Sequence, residues 1–307
     1  MSTLHIRIGS RASKLALWQA HWVAGQLRQL GATVDIIEIV TQGDERQSGP
    51  IAALGLQGVF TKEIQAAVLR GECDLAVHSL KDLPTETVAG LTLAAVPQRE
   101  NCADVLLTRA GESLATLAPG ATVGTGSLRR QAQLRSVRPD LLIQGIRGNV
   151  DTRLAKLDAG EFDAIVLAAA GLNRLGLDDR ISEEIGPPQM LPAPGQGALG
   201  IECRESDAQI LEFVSQLEHA ETRAATDAER SMLALLHAGC SAPVGAWGRI
   251  ESGSLNLDGL VASLDGTQLL RATASGSPEQ SQQLGKQVAE QLLAQGADRL
   301  IQAARES

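Results

Sequence analysis

Gly71-Glu72-Cys73-Asp74-Leu75-Ala76-Val77-His78 and Gly160-Glu161-Phe162-Asp163-Ala164-Ile165-Val166 are two passages of one design, 89 residues apart. In each, a glycine stops a helix and an acidic turn feeds a short apolar strand. Before the first passage, residues 60–70 read as the helix that Gly71 ends, and before the second, residues 149–159 read the same way. Further upstream, residues 5–9 form a strand. Residues 13–30 form a helix, with Leu15, Trp18, Trp22 and Leu27 at roughly helical spacing, and Gly31 stops it. Residues 33–41 are β-branched and apolar, a buried strand. The second half of the pattern repeats the plan: strand 121–123, helix 127–137, strand 141–146, helix 149–159, strand 164–168. Alternation of this kind predicts two similarly built α/β domains, each with a mainly parallel sheet between helices.

Two segments join these domains. One is 97–103; the other, 187–197, is too rich in proline and glycine for a regular element. Residues 199–203 read as a strand returning to the first domain. Two crossings between two lobes predict a hinged cleft, a usual place for a small ligand. The remaining chain changes character: a helix at 222–237, then alternating strands at 244–250, 254–263 and 268–274, turned at Glu251-Ser252-Gly253 and Asp265-Gly266. An amphipathic helix over 278–304 closes it. The expected fold is therefore α/β in three domains: 1–97 with 198–217, 103–192, and a small α+β domain at 220–307 with a three-stranded antiparallel sheet.

Composition narrows the function classes. With three Trp, three Phe and no Tyr, the cores are aliphatic, and stacking bases on aromatic rings is not this chain's business. A net charge of −9 opposes a nucleic-acid surface. No basic start followed by an apolar run marks an export signal, and no stretch is long enough to span a bilayer. The four cysteines, Cys73, Cys102, Cys203 and Cys240, form no CxxC pair, so neither a disulfide framework nor a zinc site is expected, and a reducing, cytoplasmic setting is. Of 27 basic residues only five are Lys. Arginine's planar fork matches a carboxylate or phosphate with two hydrogen bonds; an arginine-favouring codon bias explains the excess equally well, so position decides.

Position does favour a ligand. Ile8-Gly9-Ser10-Arg11-Ala12-Ser13 leaves a strand and enters a helix, and Val123-Gly124-Thr125-Gly126-Ser127-Leu128-Arg129-Arg130 does the same in the second domain. Backbone N–H groups at a helix start attract anions, and cations in a first turn are unfavourable unless an anion is present. Arg147, Arg153 and Arg174 follow at or near loops after strands, where α/β sheets bind ligands. Without a GxxxxGK[ST] loop, a carboxylate is favoured over a nucleotide. Asp82, at the end of the strand in His78-Ser79-Leu80-Lys81-Asp82-Leu83-Pro84, either carries protons or pairs with Lys81 in a turn; His78 reads as a packed strand residue. Cys240, in Gly239-Cys240-Ser241-Ala242-Pro243, has the loop setting a reactive thiol needs, whereas Cys73 and Cys203 read as inert core.

Taken together, these motifs resemble the hydroxymethylbilane synthase (porphobilinogen deaminase) family. The resemblance runs over Ser10-Arg11-Ala12-Ser13, Leu15-Ala16-Leu17-Trp18-Gln19, Thr41-Gln42-Gly43-Asp44, Ala76 to Pro84, Val123-Gly124-Thr125 with Ser127-Leu128-Arg129-Arg130, Arg147-Gly148-Asn149-Val150 with Thr152-Arg153, Ala168 to Leu172 with Arg174-Leu175-Gly176, Pro194-Gly195-Gln196-Gly197-Ala198 and Gly239-Cys240. It implies two lobes like type II periplasmic binding proteins. It implies a dipyrromethane cofactor held by a thioether to Cys240, onto which four porphobilinogen molecules join head to tail before water releases the tetrapyrrole. Loss of ammonia leaves an electron-poor azafulvenium, which the preceding pyrrole's α-carbon attacks. Asp82 is the implied catalytic carboxylate. Arg11, Ser13, Gln19, Lys81, Thr125, Ser127, Arg129, Arg130, Arg147, Arg153, Arg174 and Gln196 are implied to bind cofactor and substrate. A monomer is implied, with neither metal, nucleic acid nor membrane as partner. Gln57 stands where the family commonly has lysine, and Gly126 where it frequently has serine. Two other classes compete: a non-catalytic dicarboxylate solute-binding protein, against which the third domain and Cys240 count, and a ligand-sensing regulator, for which no DNA-binding helix pair is found.

Overall fold

The computed structural model describes residues 4–39, 61–239 and 242–306. Thr41-Gln42-Gly43-Asp44, Gln57, and Cys240 with Ser241 lie outside the described residues. In chain order the elements are β1 (His5–Ser10), α1 (Lys14–Gln29), β2 (Thr33–Glu38), α2 (Lys62–Leu69), β3 (Leu75–Ser79), β4 (Leu91–Ala95), β5 (Asp104–Thr108), β6 (Thr122–Gly124), α3 (Leu128–Val137), β7 (Leu142–Gln144), α4 (Val150–Asp158), β8 (Ala164–Ala168), α5 (Ala169–Leu175), β9 (Glu183–Ile185), β10 (Leu199–Arg204), α6 (Ala208–Ser215), α7 (Ala220–Leu235), β11 (Val244–Glu251), β12 (Ser254–Ala262), β13 (Leu269–Gly276), α8 (Ser281–Ala294) and α9 (Ala297–Glu306). The chain forms two compact units, residues 1–99 with 198–223, and 100–197 with 224–307.

The first unit holds a five-stranded sheet in the order β2-β1-β3-β10-β4. β1 pairs parallel with β2 and β3, whereas β10 runs antiparallel to both β3 and β4. The second unit repeats the pattern as β7-β6-β8-β5-β9, with β5 the reversed strand. The mainly parallel expectation holds apart from this one reversed strand per sheet. In each case it is the strand that follows a crossing segment, so no βα crossover governs its direction. β4, β5 and β9 have no counterpart in the sequence reading; β5, Asp-Val-Leu-Leu-Thr, is buried at every position and gives no alternation to detect.

Both sheets are covered on two faces, as parallel strands require. In the first, Leu75 and Val77 of β3 face α1 and α6 through Val23, Leu27, Ile210 and Val214, while Ala76 faces α2 through Ile64 and Val68. In the second, Ala164 and Val166 of β8 pack with Leu134 of α3, and Ile165 and Leu167 with Leu157 of α4 and Leu172 of α5. Each fully buried Leu or Ile contributes about 1.5–3 kcal/mol, so the aliphatic core substitutes for aromatics.

The antiparallel sheet β11-β12-β13 is the predicted one. Leu255, Leu257 and Val261 meet Met232 of α7 and Val288 and Leu292 of α8. On its other side Leu260 and Ala262 pack with Ala132 and Leu191. Gly285 lets α8 lie directly on α7, because a Cβ there would strike the Ala228 carbonyl and the Ser231 side chain. The single closing helix expected over 278–304 is instead two, α8 and α9, broken at Gly296 with φ +95°, a left-handed stop that L side chains resist. Among the described residues no helix is long and apolar enough to cross a membrane.

Candidate active site

In the first unit β1, β2 and β3 run parallel, so their carboxyl ends share one sheet edge. β1 runs there into Arg11, and Ser13 caps α1 by accepting the Ala16 N–H at 3.3 Å. Gln19, buried on α1, donates to Ser79 Oγ at 2.8 Å, which ties the helix to the end of β3. The next residues form a single 3₁₀ turn, Leu80–Asp82. Leu80 is buried and its N–H bonds the Ala198 carbonyl at 3.0 Å, while Lys81 is half-buried and Asp82 exposed. Arg11, Ser13, Gln19, Lys81 and Asp82 therefore lie along one sheet edge, with Asp82 anchored by a buried neighbour and turned to solvent. His78 is a packed strand residue as expected: its Nε2 lies 3.0 Å from buried Glu202 without hydrogen-bond alignment, and Glu202 accepts from Gln65 at 2.9 Å.

The second unit brings its predicted residues to the corresponding edge. Thr125 follows β6, is buried, bonds the Gln144 carbonyl through its N–H at 2.9 Å and accepts the Ser127 N–H at 3.2 Å. Ser127 caps α3 through the Arg130 N–H. The loop is tight: a Cβ on Gly126 would sit 3.1 Å from the Ile146 carbonyl, so serine there requires the backbone to give way. Arg147 is half-buried and makes no hydrogen bond or ion pair with any described residue. Arg153 on α4 donates Nε to the Gly148 carbonyl at 2.8 Å.

Arg129 and Arg130 are interior residues, 3 % and 6 % exposed. Both converge on Asp104, which is fully buried at the start of β5. Arg129 grips it with two nitrogens, at 2.6 and 3.2 Å, and donates also to the Leu191 carbonyl at 2.7 Å. Arg130 reaches Asp104 Oδ1 through Nε at 3.0 Å and Nη2 at 2.8 Å, and the Val166 carbonyl through Nη1. Gln196 joins them, its Nε2 at 2.8 Å from the same oxygen and from the Cys102 carbonyl. Burial opposes the charged form of Asp104, and the Coulomb fields and hydrogen bonds of Arg129 and Arg130 override it, holding the carboxyl well below the usual carboxylate range. Burial likewise lowers the Arg129 pKa. Arg174, 8 % exposed, donates to the Gly197 carbonyl at 2.7 Å; burial pulls it down to about 10, with Glu100 offsetting part of that.

Asp104, which holds Arg129 and Arg130, is the residue of this cluster that sequence reasoning missed. The available signal was a carboxylate opening a wholly apolar run, which must find cations once buried. One carboxylate does not balance two guanidiniums, and Arg129 Nε is buried with no hydrogen-bond partner. With half-buried Arg147 on the same unit, this edge carries surplus positive charge and an unspent donor, the setting for a carboxylate-bearing ligand. Cys73 and Cys203 are buried, and burial pushes both thiols up to about 11, so they are inert at neutral pH.

Two family models match the chain: "Porphobilinogen deaminase, dipyromethane cofactor binding domain" over residues 6–212 and "Porphobilinogen deaminase, C-terminal domain" over 224–294. The chain belongs to the porphobilinogen deaminase family. Porphobilinogen deaminase of Geobacter metallireducens is 48 % identical over 303 residues, covering 98 % of this chain and 95 % of that protein. The Desulforudis audaxviator protein of that name is 51 % identical, covering 96 % of each chain, and the Xanthomonas euvesicatoria one 50 %, covering 98 % and 99 %. Among solved structures, a putative lipoprotein from Actinomyces odontolyticus superposes with a TM-score of 0.44 at 12 % identity, over 70 % of this chain and 90 % of that one. The dipyrromethane named for the family's cofactor domain carries acetate and propionate groups, and the surplus charge with the orphaned Arg129 donor fits such a group.

Proposed function

We propose that the protein is a hydroxymethylbilane synthase: it deaminates four porphobilinogen molecules, joins them head to tail, and releases hydroxymethylbilane by water with loss of ammonia. The observation that carries the reading is the surplus of buried and half-buried guanidinium charge at the carboxyl edge of the second sheet, in a chain whose family is named for this substrate. A dipyrromethane attached through a thioether to Cys240 supplies, when bound, the first nucleophilic pyrrole carbon and a tether for the growing chain.

The chain's own residues divide the work by position. Arg129, Arg130, Arg147, Arg153 and Arg174, with Thr125, Ser127 and Gln196, neutralise and orient carboxylates at the second sheet. Arg11, Ser13, Gln19 and Lys81 do so at the first. In each round the aminomethyl C–N bond breaks and ammonia leaves, a C–C bond forms from a pyrrole α-carbon, and that carbon gives up its proton. Asp82, exposed on an anchored turn, faces the positive charge that develops when ammonia departs and accepts pyrrole N–H groups. It also assists the proton's departure. Holding both reactants on fixed charges converts each condensation into an effectively intramolecular step. The reading extends to a cytoplasmic monomer with domains at 1–97 with 198–217, 103–192 and 220–307, taking no nucleic acid or membrane as partner.

Intact mass tests it directly. The purified chain is expected to exceed its sequence mass by one dipyrromethane, and Cys240→Ser is expected to lose both that increment and porphobilinogen consumption. A parent chain without the increment, or a Cys240→Ser variant that keeps it, overturns the assignment.

A further inference from the structure

Glu229 of α7 is fully buried and lies outside both the helix-start arginine motifs and the groups that bind or process porphobilinogen. Its Oε2 accepts the Gly195 N–H at 2.6 Å and its Oε1 the Gly248 N–H at 2.7 Å. One carboxylate thus fastens strand β11 and the connecting segment 191–197 to the same helix. The packing beneath is equally close, since a Cβ on Gly248 would sit 2.6 Å from the Ala225 carbonyl, one turn before Glu229. The Pro192 carbonyl also accepts from Ala246 of β11 at 2.9 Å.

The same short segment carries the contacts of the arginine cluster. The Leu191 carbonyl accepts from Arg129, Gln196 bonds Asp104, and the Gly197 carbonyl accepts from Arg174. It is therefore stitched alternately to the helix that precedes Cys240 and to the guanidiniums that hold carboxylates. A tethered, acidic chain needs its tether and its charges in fixed register, because displacements near 1 Å cost rate steeply.

We propose that Glu229 is a positioning residue, which sets the register between the α7–β11 module bearing Cys240 and the arginine cluster through the backbone of 191–197. This rests on the reading of Cys240 as the attachment point. Glu229→Gln keeps one acceptor and turns an NH₂ against the other backbone N–H. Hydrogen exchange at whichever of the Gly195 and Gly248 amides meets the NH₂ is expected to quicken about tenfold, the loss of a charge-assisted hydrogen bond. The kcat for porphobilinogen consumption is expected to fall about tenfold or more. Met232→Ala, a cavity in the same helix's apolar core, serves as the comparison: at an equal fall in melting temperature it leaves kcat unchanged. If Glu229→Gln does not fold, Glu229→Asp, charged but one methylene short, is measured in its place. Unchanged exchange at both amides, or a kcat that tracks melting temperature alike in the Glu229 and Met232 variants, overturns the proposal. A parent chain lacking the mass increment sinks the attachment reading instead, and leaves the exchange result standing.

Discussion

Replacing Asp104 by Asn takes one negative charge from a site where it meets two guanidiniums at 2.6 and 2.8 Å, with no solvent to compensate. Arg129 and Arg130 are then two like charges in mutual contact with an amide that offers one oxygen and opposes them with N–H groups. Removing one partner of a buried ion pair costs about 3–5 kcal/mol. For a unit of this size, each kcal/mol lowers the melting temperature by about 2–4 °C, so Asp104→Asn is expected to melt about 10 °C below the parent by circular dichroism or calorimetry. The pH dependence follows from the same geometry. The folded-state pKa of Asp104 lies below its unfolded value, so its contribution is complete above about pH 4. That contribution is lost as pH falls through the folded value. The gap between parent and variant should stay constant from about pH 5 to 8 and narrow in stronger acid. A variant that melts within about 2 °C of the parent at neutral pH would refute the claim that this carboxylate holds the arginine pair.

Asp82→Ala, at an exposed position with no core contact to lose, should melt like the parent, while kcat for porphobilinogen consumption falls about a hundredfold or more; near-parent turnover removes Asp82 from the chemistry. Cys73 and Cys203, with thiols near 11, should remain unmodified when the native protein is treated with iodoacetamide at pH 8, because only about a thousandth of each is thiolate; peptide mass mapping reads this, and full labelling of either contradicts its burial. Gly285→Ala should cost about 1–3 kcal/mol by denaturant titration, as overpacking between α7 and α8 does; an unchanged midpoint means that those helices separate without penalty.

Much of the fold was written in local order. Glycines stopped helices at 31, 71 and 160, each with positive φ, because only glycine accepts that conformation cheaply. Ser13, Ser127 and Asn149 capped helices where strands ended, and the hairpin turn at Ser252-Gly253 took its left-handed geometry. These are interactions between residues a few positions apart, and composition fixes them before any chain folds back. The predicted site residues were legible for the same reason, since strand ends and helix starts are where an α/β sheet offers its ligand edge.

Tertiary structure alone decided what those residues touch. Asp104 reaches Arg129 across 25 positions because β5 runs antiparallel beside β8, with Asp104 opposite Ala168. Glu229 reaches Gly195 across 34 because α7 packs against β11. The reversed strand in each sheet had no local signature, since a strand's direction is set by the partner it meets. Propensity and periodicity act through neighbours along the chain, whereas the pairing of buried charges is settled by burial itself: only when water is removed must each carboxylate and guanidinium find a partner, and that partner is chosen by where the sheets bring distant segments together.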